Sequence, residues 1–282
     1  MDISLGEPRI FNLEARIPLE DAERKAEDKK VGALGTGIGG LLQRPKAEDV
    51  KLLNTQRRVE PFWHVACTAH YVYDRRRQYT VPASASDVRR ITFKEEDFEV
   101  HPSGKGPGTF VFEVLEHCAE DIRDELYVDG LSGSSLGNGA SLTTGPRAEI
   151  QDPATLGADE TLVVAPEQRA SAIVRQLLAK VMRPLQADIV LEESLAVEAL
   201  DLYYRPVWAF EYQHAAKGKK GVVEVDALTG DTRTATDLKM STLTRKMSKD
   251  ALFDIGADTV GLIVPGGGIA MKLARLAVDR DY

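Results

Sequence analysis

Glu60-Pro61-Phe62-Trp63-His64-Val65-Ala66-Cys67-Thr68-Ala69-His70-Tyr71-Val72-Tyr73 is the stretch whose reading sets the fold. With a strand's two-residue period, Trp63, Val65, Cys67, Ala69, Tyr71 and Tyr73 fall on one side, and His64, Ala66, Thr68 and His70 on the other. Pro61 suits a strand start, where a missing ladder donor does least harm. A basic run, Arg75-Arg76-Arg77, then reads as a hairpin tip before a return strand at Tyr79-Thr80-Val81.

The same unit recurs later. Arg205-Pro206-Val207-Trp208 opens a strand to His214, with Trp208, Phe210 and Tyr212 on one side. A basic tip follows at Lys217-Gly218-Lys219-Lys220, then a return strand from Gly221 to Val225. Upstream the parallel continues. Arg9 to Ile17 reads as a strand followed by a charged helix from Pro18 to about Lys30. Thr161 to Ala165 reads as a strand before a helix begun by Pro166, with Ala170, Ile173, Val174, Leu177, Leu178 and Val181 at helical spacing. Proline suits a first helical position, where its missing N–H has no partner to lose.

Between the copies, Thr109 to Val114 reads as a strand. Leu115, Cys118, Ile122 and Leu126 then follow a helical spacing, with Glu116, Glu120, Asp121, Asp124 and Glu125 on the solvated side. Two helices, Ser248 to Ile263 and Ile269 to Arg280, are expected on either side of Pro265-Gly266-Gly267-Gly268. The expected fold class is therefore α+β: two duplicated helix-plus-antiparallel-hairpin units with an acidic insertion and a C-terminal helical appendage. The expected domains are a first repeat over 1–93, the insertion over 94–151, a second repeat over 152–240 and helices over 241–282.

Composition narrows the function classes. The net charge of -8 argues against nucleic-acid binding. Charge is uneven: residues 44 to 90 carry ten basic and five acidic groups, and 91 to 160 carry four and fifteen. Cys67 and Cys118 fit neither a disulfide framework nor a zinc spacing. Met1 to Pro18 has Asp2, Glu7 and Arg9 and no apolar run, so no secretory signal is expected. The longest uncharged runs, Val31 to Gln43 and Thr259 to Met271, are thirteen residues each, short of the roughly 20 that span a bilayer. A cytoplasmic protein is expected.

Gly221-Val222-Val223-Glu224-Val225-Asp226-Ala227-Leu228-Thr229-Gly230-Asp231 resembles the signature of PepSY-like domains, a hairpin ending in a Val-x-Val-Asp-Ala-x-Thr-Gly-acidic turn. Asp226 is suited to cap the turn backbone and Gly230 to supply a positive φ. In the first copy, Tyr79 to Val88 keeps the strand and lacks the turn. The resemblance implies small non-catalytic α+β modules linked to binding or to restraint of peptidases, usually outside the cytoplasm.

Candidate chemistry is sparse. His64-x-x-Cys67-x-x-His70 has the look of a metal motif, but on a strand its histidines stand about 20 Å apart with the thiol on the opposite face. Glu113, Glu116, His117, Glu120 and Asp121 would share a helix face, yet a di-metal bundle needs a second such helix. Gly35-Thr36-Gly37-Ile38-Gly39-Gly40 lacks the strand before and helix after that a dinucleotide loop requires. His117 and Cys118 are neighbours that point apart. No catalytic, cofactor or metal residue is assigned, and no cofactor is expected.

The expected function is a non-enzymatic binding or scaffold protein with a protein partner, engaging it through sheet edges, basic tips and the C-terminal helices. Its candidate contacts are Arg75, Arg76, Arg77, Lys217, Lys219, Lys220, Lys272 and Arg275. Homo-oligomerisation is compatible with this reading. The alternatives are an enzyme or small-molecule binder with a cleft between the repeats, for which His64, His70 and Arg205 are candidates, and a peripheral membrane protein using its C-terminal helices.

Overall fold

Three long strands carry the fold. A computed structural model describes residues 2–34, 45–182, 184–235, 252–253 and 273–275. Within it β3 (Val50–Pro82) lies between β10 (Ile189–His214) and β7 (Gly106–Asp129), antiparallel to both. Beyond β10 come β11 (Lys220–Asp226) and β12 (Thr232–Ala235), and beyond β7 comes β6 (His101–Ser103). β1 (Asp2–Leu5) and β2 (Arg9–Leu13) pair in parallel with β10, and β9 (Leu162–Val163) pairs in parallel with β3. β8 (Arg147–Glu149) adds to β2 and β13 (Leu273–Arg275) to β1. A separate hairpin, β4 (Arg90–Phe93) with β5 (Glu96–Glu99), accompanies the far end of β7.

The expected fold class is wrong. Strand makes up 53% and helix 18% of the described residues, and one mixed sheet of eleven strands takes in both halves of the chain. The helices are short: α1 (Leu19–Glu27), α2 (Lys30–Ala33), α3 (Gly139–Leu142) and α4 (Ala170–Val181). Nor does each helix stay with its own hairpin. The β2–α1 segment packs on β10 and β11, whereas β9–α4 packs on β3 and β7. Each helix-bearing segment has crossed to the hairpin of the other half.

Three local expectations are also corrected. Arg75–Arg77 is no hairpin tip, because β3 runs straight on to Pro82. The return strand is therefore β7, and the expected helix from Leu115 to Leu126 is part of it. The cause is a four-residue period in the sequence: positions i and i+4 share a face in a strand as well as on a helix. At the C-terminal end Leu273–Arg275 is a strand, not part of a helix; apart from Leu252 and Phe253, which pack near Trp63, the rest of the expected helices lies outside the described residues. So does the Gly35–Gly40 loop. Among the described residues no helix is long and apolar enough to cross a membrane.

What does repeat is the hairpin with its closing turn. The offset that carries Pro61 onto Pro206 and Trp63 onto Trp208 also carries Glu60 onto Arg205. Those two are cross-strand partners, flanked by Val59↔Pro206 and Pro61↔Tyr204, so an approximate local twofold passes between them. Both indoles lie on one face of the sheet. Trp63 donates to the Gln168 carbonyl just before α4 (3.0 Å), and Trp208 to the Ile17 carbonyl just before α1 (3.3 Å). Trp63 is fully buried, among Val174, Leu177 and Leu178; Trp208 is half-buried, beside Ala22, Ala26 and Phe210.

The closing turns match bond for bond. Val128-Asp129-Gly130-Leu131-Ser132-Gly133 ends β7, and Val225-Asp226-Ala227-Leu228-Thr229-Gly230 ends β11. Asp129 Oδ1 accepts from the Leu131 and Ser132 N–H groups (3.1 and 2.9 Å); Asp226 Oδ1 accepts from Leu228 and Thr229 (2.8 and 3.2 Å). Gly133 and Gly230 have φ of 75° and 77° and donate to the Asp129 and Asp226 carbonyls. The first turn escapes a reading that closes the hairpin at Arg77. An alanine at Gly133 or Gly230 must hold the left-handed conformation, so each substitution is expected to cost about 1–2 kcal/mol, read as a lowered urea midpoint.

Candidate functional site

Arg205 sits beside the local twofold and joins the two turns. Its Nη2 lies 3.0 Å from Asp129 Oδ2 and 3.4 Å from Glu60 Oε2, and its Nη1 lies 3.6 Å from Asp226 Oδ2. Each turn aspartate thus offers one oxygen to its own backbone and the other to the same guanidinium. Glu60 also takes Arg58 (2.7 Å) and Arg233, and Glu224 takes Arg58 and Arg233. Alternation explains the gathering, since Arg58, Glu60 and Arg205 all point away from the tryptophan face. Glu60 is 1% exposed, so its charge persists only because cations surround it.

The titration shifts agree. Burial pushes the Glu60 carboxyl up, but the Arg233 hydrogen bond and the charges of Arg233, Arg58 and Arg205 outweigh it and hold it below the ordinary 4.5. Burial works against the Arg233 guanidinium too, and Glu60 and Glu224 more than restore it. This cluster is a clamp between two turns, and an ionised Glu60 within it is no general acid.

Further along the same face, histidines and carboxylates alternate across the strands. His64 Nδ1 lies 3.4 Å from Asp201 Oδ2, its Nε2 3.1 Å from Glu125 Oε2, and its ring stacks on Tyr127 at 4.3 Å. Asp201 is held from its other side by Arg9 (2.8 and 3.0 Å). His70 meets Asp121 at 2.6 Å, and His117 meets Asp74 at 2.7 Å. Cys67 lies on the opposite, buried face. Burial, with Asp124 and Glu198 adding to it, pushes its thiol up to about 11. Burial likewise pushes Tyr203 up to about 12, helped by Asp201. These shifts favour protonated, unreactive forms, the reverse of an activated nucleophile.

The other sequence candidates scatter. Arg75 pairs with Glu116 at 2.5 Å, and Tyr79 donates to the same carboxylate. Arg76 reaches Glu113 at 3.7 Å and Arg77 reaches Gln186 at 2.8 Å. Lys217 and Lys219 do lie at a hairpin turn, and Lys220 meets Glu211 at 3.1 Å. Lys272 lies outside the described residues, and of Arg275 only the backbone is described. His64, His70 and Arg205 line none of three cavities in the described residues. A cavity of about 520 Å³ at the end of β7 is lined by Ser86, Arg89 and the Pro102–Gly108 turn. A second, about 130 Å³, lies by Asn12, Arg57 and Leu156, and a third, about 820 Å³, runs along the acidic side of α1. The metal candidates on β7 split across its faces, Glu116 and Glu120 on one, Glu113, His117 and Asp121 on the other.

The feature that the sequence reading missed is the outer edge of β7. From Phe110 to Leu126 its backbone pairs only with β3 among the described residues, with β6 at one end and the Leu136 N–H to Tyr127 C=O bond at the other. The Tyr127 carbonyl faces outward, and the Glu125 N–H is taken by the Asp124 side chain (2.8 Å). The β3–β7 register runs without a shift, so the odd-numbered residues direct their N–H and C=O groups outward. Periodicity gave no clear signal for it, because Val111 and Leu115 are apolar alongside Phe110, Phe112 and Val114, and Leu115, Cys118, Ile122 and Leu126 suit a helix as well. No protein-family model, curated protein or solved structure matches the chain.

Two substitutions test the clamp. Arg205→Ala takes the shared cation from Asp129 and Asp226, leaves Glu60 with Arg58 and Arg233, and is expected to cost about 3 kcal/mol. Glu60's lowered pKa gives a stabilisation present above about pH 4.5 and lost as pH falls through its folded value. Glu60→Gln is therefore expected to lower the urea midpoint near neutral pH and to flatten its fall on acidification.

Proposed function

We propose that this is a non-enzymatic cytoplasmic binding protein that takes up an extended segment of a partner polypeptide along the outer edge of β7. The observation behind this reading is the run of outward-directed backbone groups on Val111, Glu113, Leu115, His117, Ala119, Asp121 and Arg123. A row of unpaired N–H and C=O groups is a template for another strand. The thiol and phenol shifts away from reactive forms, and cavities that miss His64, His70 and Arg205, favour binding over catalysis. The PepSY-like resemblance, with its link to binding, agrees.

Self-pairing of this edge is disfavoured. β7 carries Glu113, Glu116, Glu120, Asp121, Asp124, Glu125 and Asp129 against Arg123 alone, and two copies edge to edge would face like charges. The edge is thus guarded against its own kind and open to an opposite one.

Proline lacks the N–H that an added strand would use, and edge strands tolerate it. Ala119→Pro is expected to leave the inward pairing to β3 in place and to abolish partner uptake. Amide exchange by NMR supplies the direct check. Without a partner, the N–H groups of Val111 to Arg123 at odd positions should exchange much faster than their even-numbered neighbours. Equal protection of both sets would overturn the reading.

A further inference from the structure

Resting on the strand-uptake reading, we infer that the segment taken up by β7 carries pairs of basic residues separated by pairs of apolar ones. Backbone pairing alone is too weak to select a partner, since each hydrogen bond nets little and association itself is costly. Selection must come from side chains, and β7 has them in a definite rhythm. Val114-Leu115, Glu116-His117, Cys118-Ala119, Glu120-Asp121, Ile122-Arg123 and Asp124-Glu125 alternate apolar or mixed pairs with acidic or polar ones. On a strand each adjacent pair sends one side chain to each face. Both faces of the edge therefore present a carboxylate about every fourth residue, with a largely apolar position between.

The molecule already meets part of this requirement. On the inner side of β7, β3 sets Arg75 directly opposite Glu116 and Arg76 opposite Leu115, from where Arg76 reaches Glu113. Those arginines serve one end of β7. Along the other end, opposite Asp121 to Glu125, β3 runs from Ala66 to His70 and contains no lysine or arginine. Arg123 turns instead to Glu198 of β10 (3.3 Å). Asp121 and Glu125 remain exposed beside the open edge, each with an imidazole as its cross-strand neighbour. An incoming strand with cations at these levels would do on the outer edge what Arg75 and Arg76 do on the inner one. Apolar residues at the alternate levels would extend the contacts of Leu115, Ala119 and Ile122.

The test uses the full chain and three synthetic peptides: Lys-Arg pairs alternating with Val-Thr pairs; the same composition with all basic residues gathered at one end; and the first pattern with Glu replacing each basic residue. Binding is followed by fluorescence titration and by exchange of the Val111 to Arg123 odd-numbered amides. The patterned peptide should bind and protect those amides, at least about tenfold more tightly than either control. Asp121→Asn/Asp124→Asn/Glu125→Gln should cost at least about tenfold for this peptide while leaving the even-numbered amides protected. If the gathered or acidic peptide protects the edge equally well, the pattern is overturned while strand uptake stands. If no peptide changes these amides, or if they become protected merely by raising the protein concentration, both the pattern and the uptake reading fall.

Discussion

One guanidinium ties the two closing turns of this sheet together. Arg205 lies where the hairpins meet and reaches the aspartate of both closing turns, while Glu60, its cross-strand partner, gathers Arg58 and Arg233. An isolated charge at that depth would be untenable; a network in which each charge has partners is tolerated and specifies geometry. The turns in turn fix where the helices start. The Gly130 carbonyl accepts from the Glu167 and Gln168 N–H groups, and the Ala227 carbonyl from those of Arg16 and Ile17. Charge at the centre thereby positions α4 and α1, and the indoles of Trp63 and Trp208 seal the same joints.

The approximate local twofold explains the economy of this design. Two equivalent aspartates related by a twofold converge near the axis, so one residue beside the axis can serve both. The twofold cannot itself be obeyed there: Glu60 and Arg205 occupy equivalent positions with opposite charge. The asymmetry is what lets the pair attract. Away from the axis the halves diverge further. β10 turns back at His214, whereas β3 and β7 run on together to Pro82 and Gly106. The extra length of that hairpin has no counterpart strand from β10 beyond Asp74 on its inner side, and from Phe110 to Leu126 the outer edge of β7 pairs with no other strand among the described residues.

Much of this was legible in the residues. The Pro-x-Trp strands, their buried side, α4's apolar positions and the short strand at β9 follow directly from alternation and helical spacing. The β7 strand was hidden because Leu115, Cys118, Ile122 and Leu126 satisfy a helix nearly as well as a strand, and local periodicity cannot choose between them. Arg75-Arg76-Arg77 misled because three cations in a row resemble an exposed turn; only the distant acids Glu113 and Glu116 explain them inside a strand. The Arg205 cluster lay beyond sequence reasoning for a different cause. Its members, from Arg58 to Arg233, come from five strands and the turns that follow them, and only the register brings them together.

The most direct measurement is a double-mutant cycle between Arg205→Met and Asp129→Asn, with stability taken from urea unfolding of the single and double variants. A shared clamp predicts strong coupling, about 1.5–3 kcal/mol, because either substitution alone breaks the same charged contact. Additivity within about 0.5 kcal/mol would mean that Arg205 and the Asp129 turn stabilise the sheet independently, and the central role given to that contact would be contradicted.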